Sequence, residues 1–345
     1  MNDVGDDWRT TIDDVDAAIL DDYQSGVPVV ERPFDALGDR LGVDEDEAFE
    51  RVRSLKDRGL IRRFGPVLNP PVIGSSTLAA LSVPHEEFDD AAAVVNGYPQ
   101  VNHNYRREHE WNMWFVLTAS SRERRDEIVA EIEAETGCGV LVLPKLTDYC
   151  ITLDFPVVNE DRFANESAEP VGSPTQIPES AGDLTPFEAE LLLEIQAGFP
   201  LSTTPYRDVA AKLDADVSDV LEATNDLLER GCIKRIGFVV NHGLTGFDAN
   251  CMVAWDVPDD RLNELGEAVA AKPYVTKCYH RPRRPELGWE YNLFTMVHGR
   301  EEAAVEASVD ELAEECLPYP HERLYTAEKL KQTGARYDEL LVSGE

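Results

Sequence analysis

The spacing of hydrophobic and polar positions changes partway along the chain, and the same change occurs again in its second half. Over residues 10–63 the apolar positions recur at helical spacing, which predicts three short helices. Gly42 falls between the second and third of these helices, and Gly59 follows the third. Leu60–Val67 then has the apolar composition of a short strand. Three helices with a glycine turn before the third, followed by a strand, are typical of a winged helix-turn-helix.

Residues 75–157 follow a different pattern. Short apolar runs predict four strands, and two longer stretches have the spacing of helices. The predicted order is strand–helix–strand–strand–helix–strand, which is the order of a ferredoxin-like βαββαβ domain. The predicted elements are Leu78–Val83, Glu86–Asn96, Val101–Arg106, Glu110–Thr118, Arg122–Glu135 and Val140–Leu143.

Both patterns return after a polar stretch. Residues 158–183 are rich in Glu, Ser, Pro and Gly and have little apolar periodicity, which predicts a linker. Beyond the linker, GCIKRIG at Gly231–Gly237 repeats GLIRRFG at Gly59–Gly65, an offset of 231 − 59 = 172. We therefore predict an α+β chain with two copies of one plan. The first copy is 1–157 (helix-turn-helix 10–70, ferredoxin-like 75–157), and the second is 184–345 (helix-turn-helix 184–242, ferredoxin-like 248–345).

Two homologous copies in one chain predict an internal pseudo-dimer. We expect the sheets of the two copies to pack against each other, because a single module of this kind leaves one sheet face uncovered. The pseudo-dimer could assemble further into a homo-oligomer.

The composition narrows the class of protein. The chain has 345 residues, 43% of them hydrophobic, so it is long enough for more than one core. Its net charge is −35, and its basic residues are 8 lysines and 24 arginines. An acidic, lysine-poor surface is expected of a protein adapted to high salt, where repulsion between surface charges is screened. Local charge, and not net charge, must therefore decide whether the protein binds an anion.

The sequence lacks the motifs that are typical of metal-binding, secreted and membrane-spanning proteins. The six cysteines form no CxxC pair, and no His/Cys spacing indicates a metal site. The acidic N-terminus lacks the apolar segment of a signal peptide. No apolar run approaches the roughly 18 residues of a membrane span. We therefore expect a cytoplasmic protein that has no membrane contact.

The predicted helix-turn-helix modules are poorly suited to DNA. A recognition helix presents basic or amide side chains to bases and phosphates. The candidate helices begin with acids in both copies, at Asp44–Glu50 and at Ala215–Glu222. We therefore expect packing modules and regard DNA binding as disfavoured. A DNA-binding regulator with a ligand-sensing domain stays the alternative.

The scarce basic residues lie beside aromatic residues in both copies. Arginine binds carboxylates bidentately and aromatic faces pack against flat rings, so a flat macrocycle with several carboxylates would suit such a site. The alternative is that the arginines pair with surface acids and the aromatics are core. The candidate substrate-binding residues are Arg62, Arg63, Arg106, Trp111, Asn112, Trp114, Lys234, Arg235, Lys277, Tyr279, His280, Arg281, Tyr291 and Asn292.

Three residues of the first copy are candidates for catalysis. Side chains alternate along a strand, so His103 and Tyr105 should share one face, with Arg107 near the following turn. A histidine beside these partners could donate a proton near neutral pH. The alternative is a structural histidine, as in many strands.

Through these residues the chain resembles the sirohaem decarboxylase family, whose fold is that of Lrp/AsnC-type regulators. The resemblance covers nearly the whole chain except the linker and both termini. The first copy is similar to one subunit type through HNYRR at His103–Arg107 and WNMWF at Trp111–Phe115. The second is similar to the partner subunit through CYHRP at Cys278–Pro282 and WEYNLF at Trp289–Phe294. In the family these subunits usually form a heterodimer, and here they would be fused.

The resemblance implies removal of two acetate carboxyl groups from sirohaem, giving 12,18-didecarboxysirohaem in the alternative haem pathway. The related step towards the nitrite-reductase haem stays open. No separate cofactor or metal is implied, because iron enters as part of the substrate. His103 or Tyr105 would supply the proton, and Arg107 and Arg281 would orient carboxylates. The family's second subunit usually has histidine where this chain has Lys277, so the second site is expected to be altered or silent.

Overall fold

The computed structural model describes residues 8–151, 158, 175–176, 184–241 and 249–333. Most of the predicted linker, residues 158–183, lies outside the described residues. The chain divides into two compact units, and each unit contains parts of both copies. One unit, which we call the helical unit, holds the two helix-turn-helix modules. The other, the sheet unit, holds the two ferredoxin-like domains.

The helices and strands follow the predicted order in each copy. The helices are α1 (Asp14–Asp22), α2 (Pro33–Leu41), α3 (Glu45–Asp57), α4 (Pro70–Ile73), α5 (Phe88–Gly97), α6 (Arg122–Thr136), α7 (Pro186–Ile195), α8 (Pro205–Lys212), α9 (Val217–Glu229), α10 (Leu262–Ala270) and α11 (Glu302–Glu311). The strands are β1 (Ile61–Leu68), β2 (Ser75–Leu81), β3 (Val101–Arg107), β4 (Met113–Ala119), β5 (Val140–Pro144), β6 (Thr147–Ile151), β7 (Thr175–Gln176), β8 (Ile233–Val240), β9 (Ala249–Trp255), β10 (Val275–His280), β11 (Leu293–Gly299) and β12 (His321–Gln332). Within the described part of the chain, no helix is both long enough and apolar enough to cross a membrane.

Side-chain caps fix several helix starts. Asp13 accepts hydrogen bonds from the backbone N–H groups of Val15 and Asp16, and Asp44 accepts one from Glu47. Thr185 and Glu188 form a reciprocal capping box at α7. These caps satisfy backbone donors that the first turn of a helix leaves without partners.

The two wings of the helical unit form a two-stranded sheet. β1 pairs antiparallel with β8, and Gly65 lies opposite Gly237. Each wing is also hydrogen-bonded to the turn that follows the first helix of the other copy. Phe199 N–H donates to Phe64 O at 2.8 Å, and Val27 N–H donates to Ile236 O at 3.2 Å. The repeated glycine motifs therefore form an interlock between the two copies.

The wing glycines are required by close backbone contact. A Cβ added at Gly237 would overlap the backbone carbonyl of Gln24, and one at Gly65 would lie 2.6 Å from Gly198 Cα. Neither neighbour is a flexible side chain that could turn away, so strands β1 and β8 would have to shift.

We expect Gly237→Ala to lower the free energy of unfolding by about 3 kcal/mol or more, because the overlap is with backbone. Chemical denaturation in high salt measures this loss. Gly97→Ala is the matched control, since a Cβ there meets nothing within 4 Å. It should be neutral or stabilising by up to about 1 kcal/mol, because alanine is the better helix former. A Gly237→Ala protein as stable as the control would contradict the close contact.

Among the described residues, the sheet unit contains one ten-stranded sheet in the order β5-β2-β4-β3-β12-β9-β11-β10-β6-β7. The two copies exchange strands within it. The first part of β12 pairs with β9 of its own copy, and the rest pairs with β3 of the first copy. Correspondingly, β5 pairs with β2, whereas β6 pairs with β10 of the second copy. Each copy therefore completes the sheet of the other.

The two faces of this sheet have different environments. On the outer face, α5 and α6 cover the first copy's strands, and α10 and α11 cover the second copy's. On the inner face, side chains of both copies form one buried cluster, so the two sheet halves pack against each other as predicted. The cluster consists of Ala80, Trp111, Trp114, Leu141, Leu143, Met252, Ala254, Trp289, Phe294 and Leu324.

Candidate active site

The three candidate catalytic residues of the first copy lie along the inner face of β3. His103 pairs with Val116 and Tyr105 pairs with Trp114, and Trp114 belongs to the buried inner cluster. The rings of His103 and Tyr105 are stacked, with centroids 6.3 Å apart. The Arg107 guanidinium lies 5.7 Å from the Tyr105 ring centroid. The alternation of the strand thus places all three side chains on one surface.

Arg107 is a buried cation. One of its terminal nitrogens donates to the backbone carbonyl of Leu324, and its Nε is buried without a hydrogen-bond partner. Among the described residues it forms no ion pair with a carboxylate. Burial lowers the pKa of Arg107 to about 10, so the side chain stays charged at neutral pH. A desolvated charge without a counter-ion costs free energy, which an incoming anion would recover.

The second copy repeats this arrangement with one substitution. Lys277 pairs with Met296 and Tyr279 with Phe294, so both lie on the inner face. Arg281 donates to the backbone carbonyl of Leu143, and its Nε is also buried without a hydrogen-bond partner. Burial lowers the pKa of Arg281 to about 10 as well. Lys277 therefore occupies the position that His103 has in the first copy.

Each site is built from both copies. Arg107 of the first copy is held by a carbonyl of β12, and Arg281 of the second copy is held by a carbonyl of β5. The strand exchange also brings Lys145 and Asp148, from the end of the first copy, beside the second copy's Tyr279. Lys145 Nζ lies 4.4 Å from the Tyr279 ring centroid and 2.7 Å from Asp148 Oδ2.

Lys145 and Asp148 are not among the site residues that the sequence predicts. They lie beyond the last strand that was predicted for the first copy, and their position depends on pairing between distant strands. The usable signal was the rarity of lysine, because Lys145 is one of only eight in the chain. Burial lowers the pKa of Lys145, and the charge of Asp148 partly offsets that effect.

The protonation of the first copy's site follows from burial and nearby charge. Burial lowers the pKa of His103 below its ordinary value of 6.5, and the charges of Lys277 and Lys329 lower it further. His103 is therefore neutral in the free protein at neutral pH, and its buried Nδ1 has no hydrogen-bond partner. Burial raises the pKa of Tyr105, with Arg107 opposing, so Tyr105 keeps its proton.

Two predicted substrate-binding residues, Asn112 and Asn292, make structural contacts with the backbone. The Asn112 side chain donates to Val83 O and accepts from Val83 N–H. Asn292 makes the same two bonds to Val257 in the second copy, and a third to Asp259. These amides fix the loop after the first strand of each domain.

Two other candidates lie on the outer face. Arg106 pairs with Met113, and its guanidinium lies 4.2 Å from the ring centroid of Phe88 in α5. His280 pairs with Leu293, which belongs to the outer core of the second copy. The strand alternation that directs their neighbours inward directs these two side chains outward.

The remaining candidates are divided between the units. Trp111 and Trp114 belong to the inner cluster, and Tyr291 packs against it while donating to Glu322 Oε1 at 3.1 Å. The other four lie in the wings of the helical unit. Arg62 donates to Asn241, Arg63 to Pro66 O and Arg235 to Gln24 O, and Lys234 is half-buried.

Comparisons with known proteins agree with this architecture. Residues 16–62 and 188–233 match the siroheme decarboxylase NirDL-like HTH domain, and residues 73–149 and 244–331 match the AsnC-like ligand binding domain. The siroheme decarboxylase NirDL subunit of Paracoccus denitrificans is 35% identical over 96% of this chain and 99% of its own. The chain belongs to the siroheme decarboxylase NirDL family. The predicted duplication and the predicted family are thereby confirmed.

Solved structures of the family match over the same extent. The crystal structure of siroheme decarboxylase NirDL superposes with a TM-score of 0.73 at 25% identity, covering 95% of this chain and 96% of that one. A second structure, of NirDL in complex with an iron-uroporphyrin III analogue, superposes with a TM-score of 0.72 over 95% of each chain. Both superpositions therefore extend over the two copies of this chain.

Proposed function

We propose that this protein decarboxylates sirohaem, removing two acetate carboxyl groups to give 12,18-didecarboxysirohaem. The supporting observation is the inner face of the sheet unit. A chain of net charge −35 has two arginines there, the buried Arg107 and the half-buried Arg281, without an ion pair to any described carboxylate. Tyrosine rings flank both guanidiniums. Such a surface suits a flat macrocycle that carries several carboxylates.

The chemistry at each acetate needs an electron sink and a proton. The bond between the CH₂ carbon and the carboxylate breaks, CO₂ leaves, and the electron pair passes into the protonated macrocycle. The CH₂ carbon then takes up a proton and becomes a methyl group. His103, stacked beside Tyr105, would deliver that proton or relay it from solvent. Arg107 would hold the substrate so that the reacting carboxylate stays poorly solvated, which favours its loss.

The reaction requires no separate cofactor in this proposal, because the tetrapyrrole itself accepts the electron pair. Iron arrives as part of the substrate. Within the described residues, no group of three or more His, Cys, Asp or Glu side chains could hold a metal ion. DNA has no part in the proposal, since the first turn of α3 has three acids, Glu45, Asp46 and Glu47.

The activity should depend on pH through His103. A proton donor is active below its pKa, so kcat/KM should fall as pH rises through a value below 6.5, the ordinary pKa of histidine. Substrate carboxylates raise the pKa of a nearby histidine, so kcat should fall at a higher pH than kcat/KM. Anaerobic pH–rate profiles measure both. If kcat instead fell at a lower pH than kcat/KM, the profiles would contradict this role of His103.

Anaerobic incubation of the purified protein with sirohaem in high salt tests the function. The product mass should show the loss of two CO₂. Unchanged sirohaem, in the presence of protein that circular dichroism shows to be folded, would refute the activity. Tight and specific binding to its own promoter in the same buffer would favour the alternative, a DNA-binding regulator.

A further inference from the structure

Lys277 is an unusual residue for the interior of this protein. It lies on the inner face of β10, and burial lowers the pKa of its ammonium group. In the described part of the chain its side chain forms no hydrogen bond and no ion pair. Asp148 acts on it only at a distance, and that acid is paired with Lys145. A half-buried ammonium without an ion pair loses solvation on folding, so a stabilising role does not explain it.

The surroundings of Lys277 are cationic. Arg281 lies four residues further along the chain, on the same face, and its charge also lowers the pKa of Lys277. Lys145 approaches the same tyrosine, Tyr279, whose ring centroid is 5.4 Å from the Arg281 guanidinium carbon. Lys145, Arg281 and Asp148 thus lie next to Tyr279, and Lys277 is two residues from it on the same face of β10. The corresponding surface of the first copy has Arg107 and a neutral His103, and the charges of Lys277 and Lys329 lower the pKa of that histidine.

We propose that Lys145, Lys277 and Arg281 form a carboxylate-binding site for a substrate carboxylate that is not removed. In this proposal, which rests on the proposed function, the second copy positions the macrocycle and the first copy carries out the chemistry. These three residues are positioning residues and donate no proton to the reacting carbon. The bound carboxylate belongs either to an acetate or to a propionate side chain of the tetrapyrrole.

The difference between the copies follows from the chemistry of decarboxylation. Loss of CO₂ moves the electron pair of the carboxylate bond away from the carboxylate. Strong ion pairing stabilises the carboxylate before that step and therefore raises the barrier. A cluster of cations suits a carboxylate that must be retained. A neutral imidazole, which forms no ion pair, suits a carboxylate that must be lost.

The test compares ligand binding and stability in three variants. Lys277→Met removes the charge, Lys277→Arg keeps it, and Lys56→Met removes the charge of an exposed lysine in α3 as the control. The probes are iron uroporphyrin III, which has acetates and propionates, and iron coproporphyrin III, which has no acetates. Absorbance titration gives Kd, and thermal unfolding of the ligand-free protein gives Tm.

Lys277→Met should raise Kd for iron uroporphyrin III about 10- to 100-fold, the effect of losing one charge-assisted hydrogen bond. Lys277→Arg should stay within a few-fold of the unsubstituted protein, and so should Lys56→Met. The ligand-free Lys277→Met protein should melt at the same or a higher temperature, because a desolvated charge is gone. If Lys277→Met also raises Kd for iron coproporphyrin III, the bound carboxylate belongs to a propionate. If it raises Kd for iron uroporphyrin III alone, the bound carboxylate belongs to an acetate.

Two results would overturn the proposal. One is an unchanged Kd for both probes in Lys277→Met. The other is weaker binding accompanied by a lower Tm, which would indicate a structural lysine. Turnover of sirohaem by the unsubstituted protein separates this failure from failure of the proposed function. If turnover occurs and Lys277→Met still binds normally, only the carboxylate-binding site is refuted.

Discussion

His103→Gln is expected to lower kcat for sirohaem decarboxylation by about 10²- to 10⁴-fold, the usual contribution of a general acid. Glutamine keeps a polar side chain on the inner face of β3 but cannot transfer a proton. The Kd for iron uroporphyrin III should change little, because His103 is neutral in the free protein and adds no charge to the site. Anaerobic stopped-flow turnover and absorbance titration measure the two quantities.

His85→Gln is the matched control for this experiment. His85 is exposed before α5 and lies outside the inner face, so its replacement should leave kcat unchanged. Full activity of His103→Gln would remove His103 from the proton-transfer step and leave Tyr105 as the candidate. Equal losses in both variants would point to a general effect on the protein and would contradict a specific role.

Arg107→Met is expected to lower kcat/KM by about 100-fold, with most of the loss in kcat. Arg107 holds the substrate beside the proton donor, and misplacement of the reacting group weakens catalysis more than binding. Arg281→Met should mainly raise KM, because Arg281 belongs to the copy that has Lys277 in place of His103. Steady-state kinetics on both variants measure this difference.

Arg107 and Arg281 are well matched for that comparison. Each guanidinium donates to a backbone carbonyl of the other copy, and each has a pKa of about 10. A difference between the kinetic effects of Arg107→Met and Arg281→Met is therefore due to the neighbouring residue, which is His103 in the first copy and Lys277 in the second. The reverse pattern, with kcat lost in Arg281→Met and retained in Arg107→Met, would place the chemistry in the second copy.

Local sequence pattern predicted much of the fold and the centre of the first site. Strand alternation placed His103 and Tyr105 on one face, and the structure has their rings stacked there. The same rule, applied to every residue, would have directed Arg106 and His280 away from that face. Arg106 and His280 were predicted to bind substrate because they are close in sequence to Arg107 and Arg281. Closeness in sequence predicts a site residue less well than the direction of its side chain on the strand.

The parts that were not predicted depend on contacts between distant segments. The exchange of β6 and β12 between the copies has no signature in the local spacing of apolar residues. The sequence therefore gives no indication that Lys145 reaches Tyr279. The asparagines of both copies had a suitable chemistry for substrate binding. Only the structure shows that Asn112 and Asn292 bond to backbone groups, because an amide serves either purpose equally well.

The wing motifs illustrate a different limit. Their basic residues were predicted to bind substrate because positive charge is scarce in this chain. The repetition of the motif is explained instead by its last residue. This residue is Gly65 in the first copy and Gly237 in the second, and the absence of a side chain lets each lie against the backbone of the other copy. A repeated glycine indicates close packing as readily as a repeated arginine indicates a ligand.

Turnover of sirohaem in D₂O tests most directly whether this protein replaces acetate carboxylates by protons. Each CH₂ group that loses CO₂ takes one proton from a donor that exchanges with solvent. The product should therefore lack two CO₂ and carry one deuteron in each of two new methyl groups, as measured by mass spectrometry. Loss of CO₂ without deuterium in these methyl groups, or no loss of CO₂ from folded protein, would contradict the account.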